Sequence, residues 1–216
     1  MKKQGRYSTS GLVEDQYMPG SVGQVLKNRL NITTKDEIDR TETELLFEVT
    51  EQLLDELDIN QCFSADDIMQ MHSRWLGSVY AWAGSYRQVM MSKGNFMFAA
   101  PAYIPELMAD FETEILQKYS PCIFGSREKV ITALAIVHTE LLLIHPFREG
   151  NGRASRLLAT LMALQAGLPP LDFSDFEQDR REEYFAAVRH GLDRNYQPME
   201  EVFSAVIAHS LKAFGE

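Results

Sequence analysis

The chain has 216 residues, of which 45% are hydrophobic and 24% charged, as in an ordinary globular domain. Its 31 acidic and 21 basic residues give a net charge of −10, which argues against direct nucleic-acid binding because that needs a basic surface. No apolar run reaches the roughly 18 residues of a membrane span and no signal peptide is visible, so we expect a cytoplasmic location. Two cysteines, Cys62 and Cys122, are too few for a disulfide framework.

The N-terminal part is predicted to contain an irregular leader followed by helices. Residues 1–31 mix Gly, Ser, Pro and Tyr with a few apolar residues, which predicts a leader with one short helix. Thr34 and Glu37 have the spacing of a capping box, and the apolar stripe behind them predicts a helix to Leu57. Ser64 is then predicted to cap a second helix over residues 65–80.

Residues 83–100 break the helical pattern and predict a small β-hairpin. Residues 86–91 and 96–98 are strand-like, and residues 92–95 (Ser-Lys-Gly-Asn) have the composition of a turn. An isolated hairpin is marginal in water, so this one would have to lean on a helical body. From the pattern alone, a simple connector is an equally good interpretation.

Helical periodicity resumes after Pro101. Helices are predicted over residues 104–119, 127–144, 154–166, 179–192 and 198–213. The helix at 127–144 is apolar on several faces, which predicts a central, buried position. Without a repeat or a linker, residues 1–216 are predicted to be a single all-α domain around a helix–loop–helix at 127–166.

The loop between these two central helices has the chemistry of an anion site. The first N–H groups of a helix are unpaired, and the helix dipole favours a negative charge there. Gly150 and Gly152 lack a Cβ, so a ligand can approach their backbone closely. Arg153 and Arg156 lie three residues apart on one side of the first turn, where cations oppose the dipole unless an anion such as a polyphosphate binds.

Two other side chains of this loop could supply chemistry. Glu149 offers a carboxylate beside the anion site, which is how Mg²⁺ is held together with phosphate oxygens and waters. His145 titrates near neutral pH and could act as a general base. Each residue alone would more simply be structural, but their combination with two glycines and two arginines favours a functional site. Zinc is disfavoured because no second His or Cys lies at ligand spacing.

The segment from His145 to Arg156 matches the motif H-x-F-x-[DE]-G-N-G-R-x-x-R at all eight specified positions. On these residues the chain resembles the Fic (Fic/Doc) family. The likeness continues in residues 81–84, 92–94 and 195–199, and therefore covers roughly residues 17–205. The resemblance implies an all-α, Fic-type helical domain in which residues 83–100 form a hairpin flap.

The resemblance also implies a protein AMP-transferase, which moves AMP from ATP to a Ser, Thr or Tyr hydroxyl of a target protein. His145 would be the general base and Glu149 would bind Mg²⁺. The ATP phosphates would be held by Gly150, Asn151, Gly152, Arg153 and Arg156. The target would dock on the flap residues Ser92, Lys93 and Gly94, and the adenine pocket would include Asn195 and Tyr196.

Two alternatives stay open at this point. One is a Fic-type transferase of another phosphate-containing group, and the other is a catalytically silent nucleotide-binding regulator. Gly152 argues against the kinase-like relatives, which typically carry lysine at that position. The intact pair of His145 and Glu149 argues against a silent protein.

Many proteins of this family are inhibited by a helix with the pattern [ST]-x-x-x-E-[GN], whose Glu pairs with the second motif arginine. The nearest match here runs from Ser10 to Asp15 with Glu14 as the acid, but it lacks the final Gly or Asn and contains Gly11, which weakens a helix. We therefore expect a toxin or effector that a small antitoxin protein inhibits in trans by pairing with Arg156, and expect Glu14→Gly to change the rate little. Such a protein would act in its own cytoplasm or after translocation into a host cell.

Overall fold

The computed structural model describes residues 11–94, 96–177 and 179–215, and within them it has the predicted all-α architecture with a small β-hairpin. Residues 1–10 of the predicted leader, including Ser10, and Asn95 of the predicted turn lie outside the described residues. The helices are α1 (Lys35–Glu56), α2 (Ala65–Leu76), α3 (Ile104–Asp110), α4 (Gln117–Tyr119), α5 (Arg127–Ile144), α6 (Asn151–Gln165), α7 (Ser174–Glu177), α8 (Arg181–His190) and α9 (Gln197–Ala213). A π-helical segment, Phe111–Leu116, joins α3 to α4.

Helix α5 is the centre of the core, as its all-round apolar sequence predicts. Ala133, Leu134 and Ala135 are fully buried although they lie on successive faces of the helix. This is possible because α6, α8 and α9 all pack against α5. The arrangement fixes the C-terminal end of α5 and the start of α6, between which the motif loop lies.

A second apolar cluster joins α1, α2 and the N-terminal residues. Val25, Ile38, Val49 and Trp75 are buried in it, and Leu46 packs against both clusters. The predicted cap on α2 forms: the Ser64 Oγ accepts from the Asp67 N–H at 3.1 Å, and the Asp67 carboxylate accepts from the Ser64 N–H at 2.8 Å. Helix α1, in contrast, has no side-chain cap at its N-terminus.

The hairpin forms with its second strand inside the predicted range 96–98, but its first strand lies further along the chain than predicted. Strand β1 is Ser92–Lys93 and strand β2 is Phe96–Met97, paired antiparallel. The predicted strand at 86–91 is wrong, because its alternation reflects packing onto the helical body: Arg87 and Val89 are buried, and the Arg87 N–H donates to the Pro146 carbonyl at 2.8 Å.

The leader also differs from its prediction. The described part contains a 3₁₀ turn, Val13–Asp15, and a β-bridge between Tyr17 and Leu26, where a short helix was predicted. Gly20, Val22 and Gly23 have positive φ angles, which interrupt a helix. The prediction of one domain over residues 1–216 extends beyond the described residues and stays a prediction.

Candidate active site

A cavity of about 770 Å³ lies where the loop between α5 and α6 faces the hairpin and α8. The loop and the first turn of α6 contribute the predicted residues His145, Glu149, Gly150, Gly152, Arg153 and Arg156. The hairpin contributes Lys93, Gly94, Phe96 and Phe98, and α8 contributes Arg181, Glu182, Tyr184, Phe185, Val188 and Arg189. Lysine and arginine side chains outnumber carboxylates in this lining, so the cavity favours anions although the whole chain is acidic.

The motif loop is held from inside by two of its own residues. Phe147 is fully buried and stacks on the His72 ring with 3.9 Å between centroids. Asn151 is also buried, and its amide bonds to both the N–H (2.8 Å) and the C=O (2.7 Å) of Phe147. These bonds close the loop into a tight turn, so its shape is set before any ligand binds.

Gly150 has a structural reason to be glycine. Its φ is +82°, and a Cβ there would come within 2.6 Å of the Trp75 ring. Gly152 differs, since the nearest atom to a Cβ there would be the Arg156 Nη1 at 3.6 Å. Only the second glycine thus fits the sequence argument that a missing Cβ leaves room for a ligand, while the first is needed for the turn and for packing on Trp75.

His145 caps the C-terminal end of α5 in the left-handed region, with φ at 53°. Its Nδ1 lies 3.3 Å from the Leu142 carbonyl, which can only accept, so Nδ1 carries the proton and Nε2 is unprotonated. Its ring stacks on Phe98 at 3.7 Å. Burial lowers the pKa of His145 to about 4, and the nearby cations Arg87 and Lys93 act in the same direction. At neutral pH the ring is therefore a neutral imidazole that can accept a proton at Nε2.

Glu149 places a half-exposed carboxylate in the same cavity. Its Oε1 accepts from the Gly150 N–H at 2.8 Å and lies 3.3 Å from Arg153 Nη2. The His72 Nδ1 accepts from the Gly84 N–H, so Nε2 is the protonated nitrogen and donates to the Glu149 carbonyl at 3.0 Å. Burial lowers the pKa of His72 to about 4, which keeps this imidazole neutral as the two bonds require.

The donor set fits Mg²⁺ better than a metal held by protein alone. Across the described ranges, His, Cys, Asp and Glu do not gather in groups of three or more that could hold a metal ion. Mg²⁺ keeps several waters and needs one or two carboxylates besides phosphate oxygens. Glu149 beside a cation-lined cavity provides that kind of site.

Arg153 is directed by contacts that the sequence did not reveal. Its Nη2 lies 2.7 Å from the carboxylate of Glu42, a buried residue of α1, and its guanidinium stacks over Trp75 at 4.6 Å. Arg153 still lines the cavity, with a quarter of its side chain exposed.

Arg87 is a second residue that sequence reasoning missed. It is 1% exposed, and its guanidinium donates to the carbonyls of His145, Val89 and Ala99, each at 2.7 Å. These bonds tie both ends of the hairpin segment to the end of α5. The signal in the sequence was weak: one arginine inside an otherwise apolar and amide-bearing stretch.

The hairpin closes the opposite side of the cavity. Lys93 lies with its Nζ 3.3 Å from the centroid of the Phe185 ring on α8. Partial burial lowers the pKa of Lys93, and the neighbouring Arg181 acts in the same direction. Of the residues predicted to dock the target, Lys93 and Gly94 line the cavity, whereas Ser92 is exposed outside it.

Three predicted site residues have side chains that do not line the cavity. Asn195 and Tyr196 do not line the cavity, and the Tyr196 hydroxyl instead donates to the Glu140 carboxylate at 2.5 Å. The Asn151 side chain is engaged with the Phe147 main chain, and its predicted phosphate contact stays a prediction. The sequence does not show in which direction these side chains point.

Glu14, which the sequence offered as a candidate for self-inhibition, is bound to the chain at the base of the hairpin. It is 6% exposed, its Oε1 accepts from the Gln88 N–H at 2.6 Å, and its carbonyl accepts from Arg148 Nε at 2.9 Å. It belongs to a 3₁₀ turn rather than a helix. Its carboxylate therefore supports the base of the hairpin.

Comparison with known proteins decides the family. The sequence model of the Fic/DOC family matches residues 62–163. The probable protein adenylyltransferase y4lH of Sinorhizobium fredii is 30% identical over 162 residues, which cover 75% of this chain and 81% of that protein. The chain belongs to the Fic/DOC family.

Other members of the family agree in sequence and in fold. Protein adenylyltransferase fic-1 of Caenorhabditis briggsae is 36% identical over 126 residues, 58% of this chain. The chain spans only 23% to 30% of the length of this and two further animal relatives. The N-terminal Fic domain of a Bartonella effector protein from Bartonella sp. AR 15-3 superposes with a TM-score of 0.76 at 25% identity, over 94% of this chain and 95% of that one. Among the described helices of this chain, none combines the length and the apolar character that crossing a membrane requires.

Proposed function

We propose that this Fic protein is a protein adenylyltransferase, which transfers AMP from ATP to a Ser, Thr or Tyr hydroxyl of a target protein. One observation carries the proposal: a neutral His145 with an unprotonated Nε2 lines the same cation-rich cavity as Glu149, Arg153 and Arg156. The names of the relatives support the same reaction class.

In the proposed reaction, His145 accepts the proton of the target hydroxyl at Nε2. The hydroxyl oxygen forms a bond to the α-phosphorus, the bond from that phosphorus to the β-phosphate oxygen breaks, and pyrophosphate leaves. Holding these groups in line lowers the barrier without covalent participation of the protein. Because His145 is neutral well below pH 7, the base is available without a prior deprotonation.

The phosphates would be held by the start of α6. Its free N–H groups, including those of Asn151 and Gly152, favour an anion, and Arg153 and Arg156 supply charge for the β- and γ-phosphates. Glu149 would hold Mg²⁺, which would neutralise charge on the α- and β-phosphates. For adenine we propose the apolar wall of Leu142, Phe185 and Val188 in place of Asn195 and Tyr196.

The flap would hold the target. Strand β1 is short and exposed, and an extended segment of the target could pair with its free edge and present a hydroxyl to His145. Ser92, Lys93 and Gly94 would form this docking edge. Phe98, which follows strand β2, stacks on the His145 ring and so connects the hairpin to the proposed general base.

We further propose inhibition in trans, by a small antitoxin whose carboxylate pairs with Arg156. The support is indirect: the Glu14 carboxylate is engaged with Gln88, so it is a poor inhibitor of its own chain. The purified chain should then be active without added factors, as a toxin or a translocated effector. A rate that rises several-fold in Glu14→Gln would contradict inhibition in trans.

Position-labelled ATP tests the reaction. A cell lysate is incubated with the protein and with ATP labelled at either the α- or the γ-phosphate, and transfer of label to protein is measured, with His145→Ala as control. AMP transfer predicts labelling above the His145→Ala control from the α-position alone. Labelling above that control from the γ-position would indicate phosphate transfer, and ATP binding without added labelling would indicate a silent regulator.

A further inference from the structure

Glu42 is a buried carboxylate outside the motif. It lies on α1 with 3% of its side chain exposed, and it does not line the cavity. Its Oε1 accepts from the Tyr80 hydroxyl at 2.6 Å, and its Oε2 accepts from Arg153 Nη2 at 2.7 Å. A buried carboxylate is costly unless it is paired and hydrogen-bonded, and this one meets both conditions.

The same turn of α1 also fixes the surface on which Arg153 rests. The Glu42 carbonyl accepts from Trp75 Nε1 at 2.8 Å, and the Trp75 ring lies under the Arg153 guanidinium. Trp75 is itself 1% exposed and packs against Gly150. One residue of α1 therefore positions both the guanidinium and the ring that supports it.

Arg153 Nη2 lies between two carboxylates. Glu42 Oε2 is at 2.7 Å and Glu149 Oε1 is at 3.3 Å, so the guanidinium is closer to the buried acid than to the one in the cavity. An arginine next to a single carboxylate tends to form a close bidentate pair with it. Without the charge of Glu42, Arg153 would form that pair with Glu149.

We propose that Glu42 is a positioning residue that holds Arg153 away from Glu149 and so keeps Glu149 available for Mg²⁺. The proposal rests on the proposed function, in which Glu149 binds the metal and Arg153 a phosphate. Residues that orient metal ligands commonly affect metal affinity by about 10- to 100-fold when they are mutated. Glu42→Gln, which keeps the shape and removes the charge, is the informative substitution.

The test measures binding rather than turnover. The affinity of the intact chain for ADP is measured by calorimetry without Mg²⁺ and with saturating Mg²⁺, and the ratio of the two is the Mg²⁺ enhancement. We expect Glu42→Gln to reduce this enhancement about tenfold, towards that of Glu149→Gln. In the double variant, Glu42→Gln should have no further effect, because the metal ligand is already gone.

Tyr80→Phe is the matched control for stability. It removes the other hydrogen bond to the same carboxylate but leaves the ion pair with Arg153 in place. It should lower the temperature of unfolding and leave the Mg²⁺ enhancement at the wild-type value. Equal loss of enhancement in Tyr80→Phe and Glu42→Gln would show a general structural effect and overturn the proposal.

The remaining outcomes separate this inference from the proposed function. A wild-type Mg²⁺ enhancement that persists in Glu42→Gln overturns the role of Glu42 alone. Failure of the wild-type chain to bind ADP, or an affinity that Mg²⁺ does not change, overturns the proposed site and the role of Glu42 with it.

Discussion

The two sides of the cavity are built by different means. The motif loop is anchored by buried side chains that bond to its backbone, with Asn151 inside the loop, His72 beneath Glu149 and Arg87 at the end of α5. The hairpin side consists of two strands of two residues each, and its tip meets α8 through the Lys93–Phe185 contact. The contrast suits the proposed reaction, since phosphate chemistry needs fixed geometry and recognition of a partner chain tolerates an adaptable edge.

The largest expected effect comes from the anchored side. His145→Ala should reduce AMP transfer by about 100- to 10,000-fold, because it removes the general base. Its affinity for ADP should stay near the wild-type value, since the phosphates contact other groups. Transfer of labelled AMP and calorimetric binding measure the two quantities separately. His209→Ala, at an exposed histidine beside Asp172, is the control, and near-wild-type transfer by His145→Ala would exclude the assignment.

Gly150 and Gly152 lie two residues apart in the motif but should contribute differently to stability. Gly150→Ala should destabilise the protein by about 1–3 kcal/mol through its positive φ alone, and by more because Trp75 must move. Gly152→Ala should leave the unfolding free energy nearly unchanged, since only the flexible end of Arg156 lies near. Urea unfolding of both variants measures this difference, and equal destabilisation would contradict the packing role of Gly150.

Substitution of Arg87 tests whether the active site depends on the anchoring of the two hairpin ends. Arg87→Lys cannot satisfy carbonyls of both hairpin ends and of His145 together, and each buried acceptor left unpaired costs about 1–3 kcal/mol. We expect a lower unfolding temperature and a lower kcat for transfer, because His145 is no longer held. Arg74→Lys, at an ion pair with the exposed Glu56, should change neither quantity. An unchanged kcat in Arg87→Lys would separate the hairpin base from the active site.

The buried histidines predict a pH dependence of stability. Burial lowers the pKa values of His72 and His138 from 6.5 to about 4 and about 3, and that of His145 to about 4. Between these values and 6.5 the unfolded chain binds more protons than the native protein, so stability is full above pH 6.5 and is lost as the pH falls towards 4. Urea midpoints at about pH 7.5, 6 and 5 should fall in that order, and a constant midpoint would show that folding does not lower the pKa values of these histidines.

The smallest effect on the protein itself is expected at the tip of the hairpin. Lys93→Met should lower stability by no more than about 1 kcal/mol, the usual value of an exposed cation–π contact. It should leave ADP affinity unchanged and reduce the modification of a target protein several-fold. Comparing ADP binding with target labelling checks this, and an equal loss of both would place Lys93 with the nucleotide rather than with the target.

The sequence was most informative where a long hydrophobic periodicity or a motif of many specified residues was present. Hydrophobic periodicity predicted the bounds of α5 and α9 closely, because a long apolar helix has to be buried in the core. The motif brought His145, Glu149 and Arg153 together correctly, since they lie in one loop. Glu42 shows what was missed: it lies in the apolar stripe of α1, between Ile38 and Val49, where an acid signals a buried partner. That partner, Arg153, lies more than 100 residues away, and sequence spacing does not show such pairs.

The first strand of the hairpin was misplaced for a related reason. Alternation in residues 86–91 was interpreted as strand pairing, whereas it records which side chains face the helical body. The direction of the Tyr196 side chain was likewise beyond local pattern, since it depends on Glu140 from another helix. Local patterns predict which residues are buried, and the packing of distant elements decides what they contact.

The hydrogen bonds of Arg87 also separate the fixed ends of the hairpin segment from its tip, whose sequence can vary independently. Since Val89 and Ala99 are held by the same guanidinium, the chain between them leaves the body and returns to it at fixed points. A new tip could replace residues 90–97 between these points, provided that Phe98 is kept on the His145 ring. The fold thus offers a place for exchanging target preference by grafting, with the nucleotide chemistry left as it is.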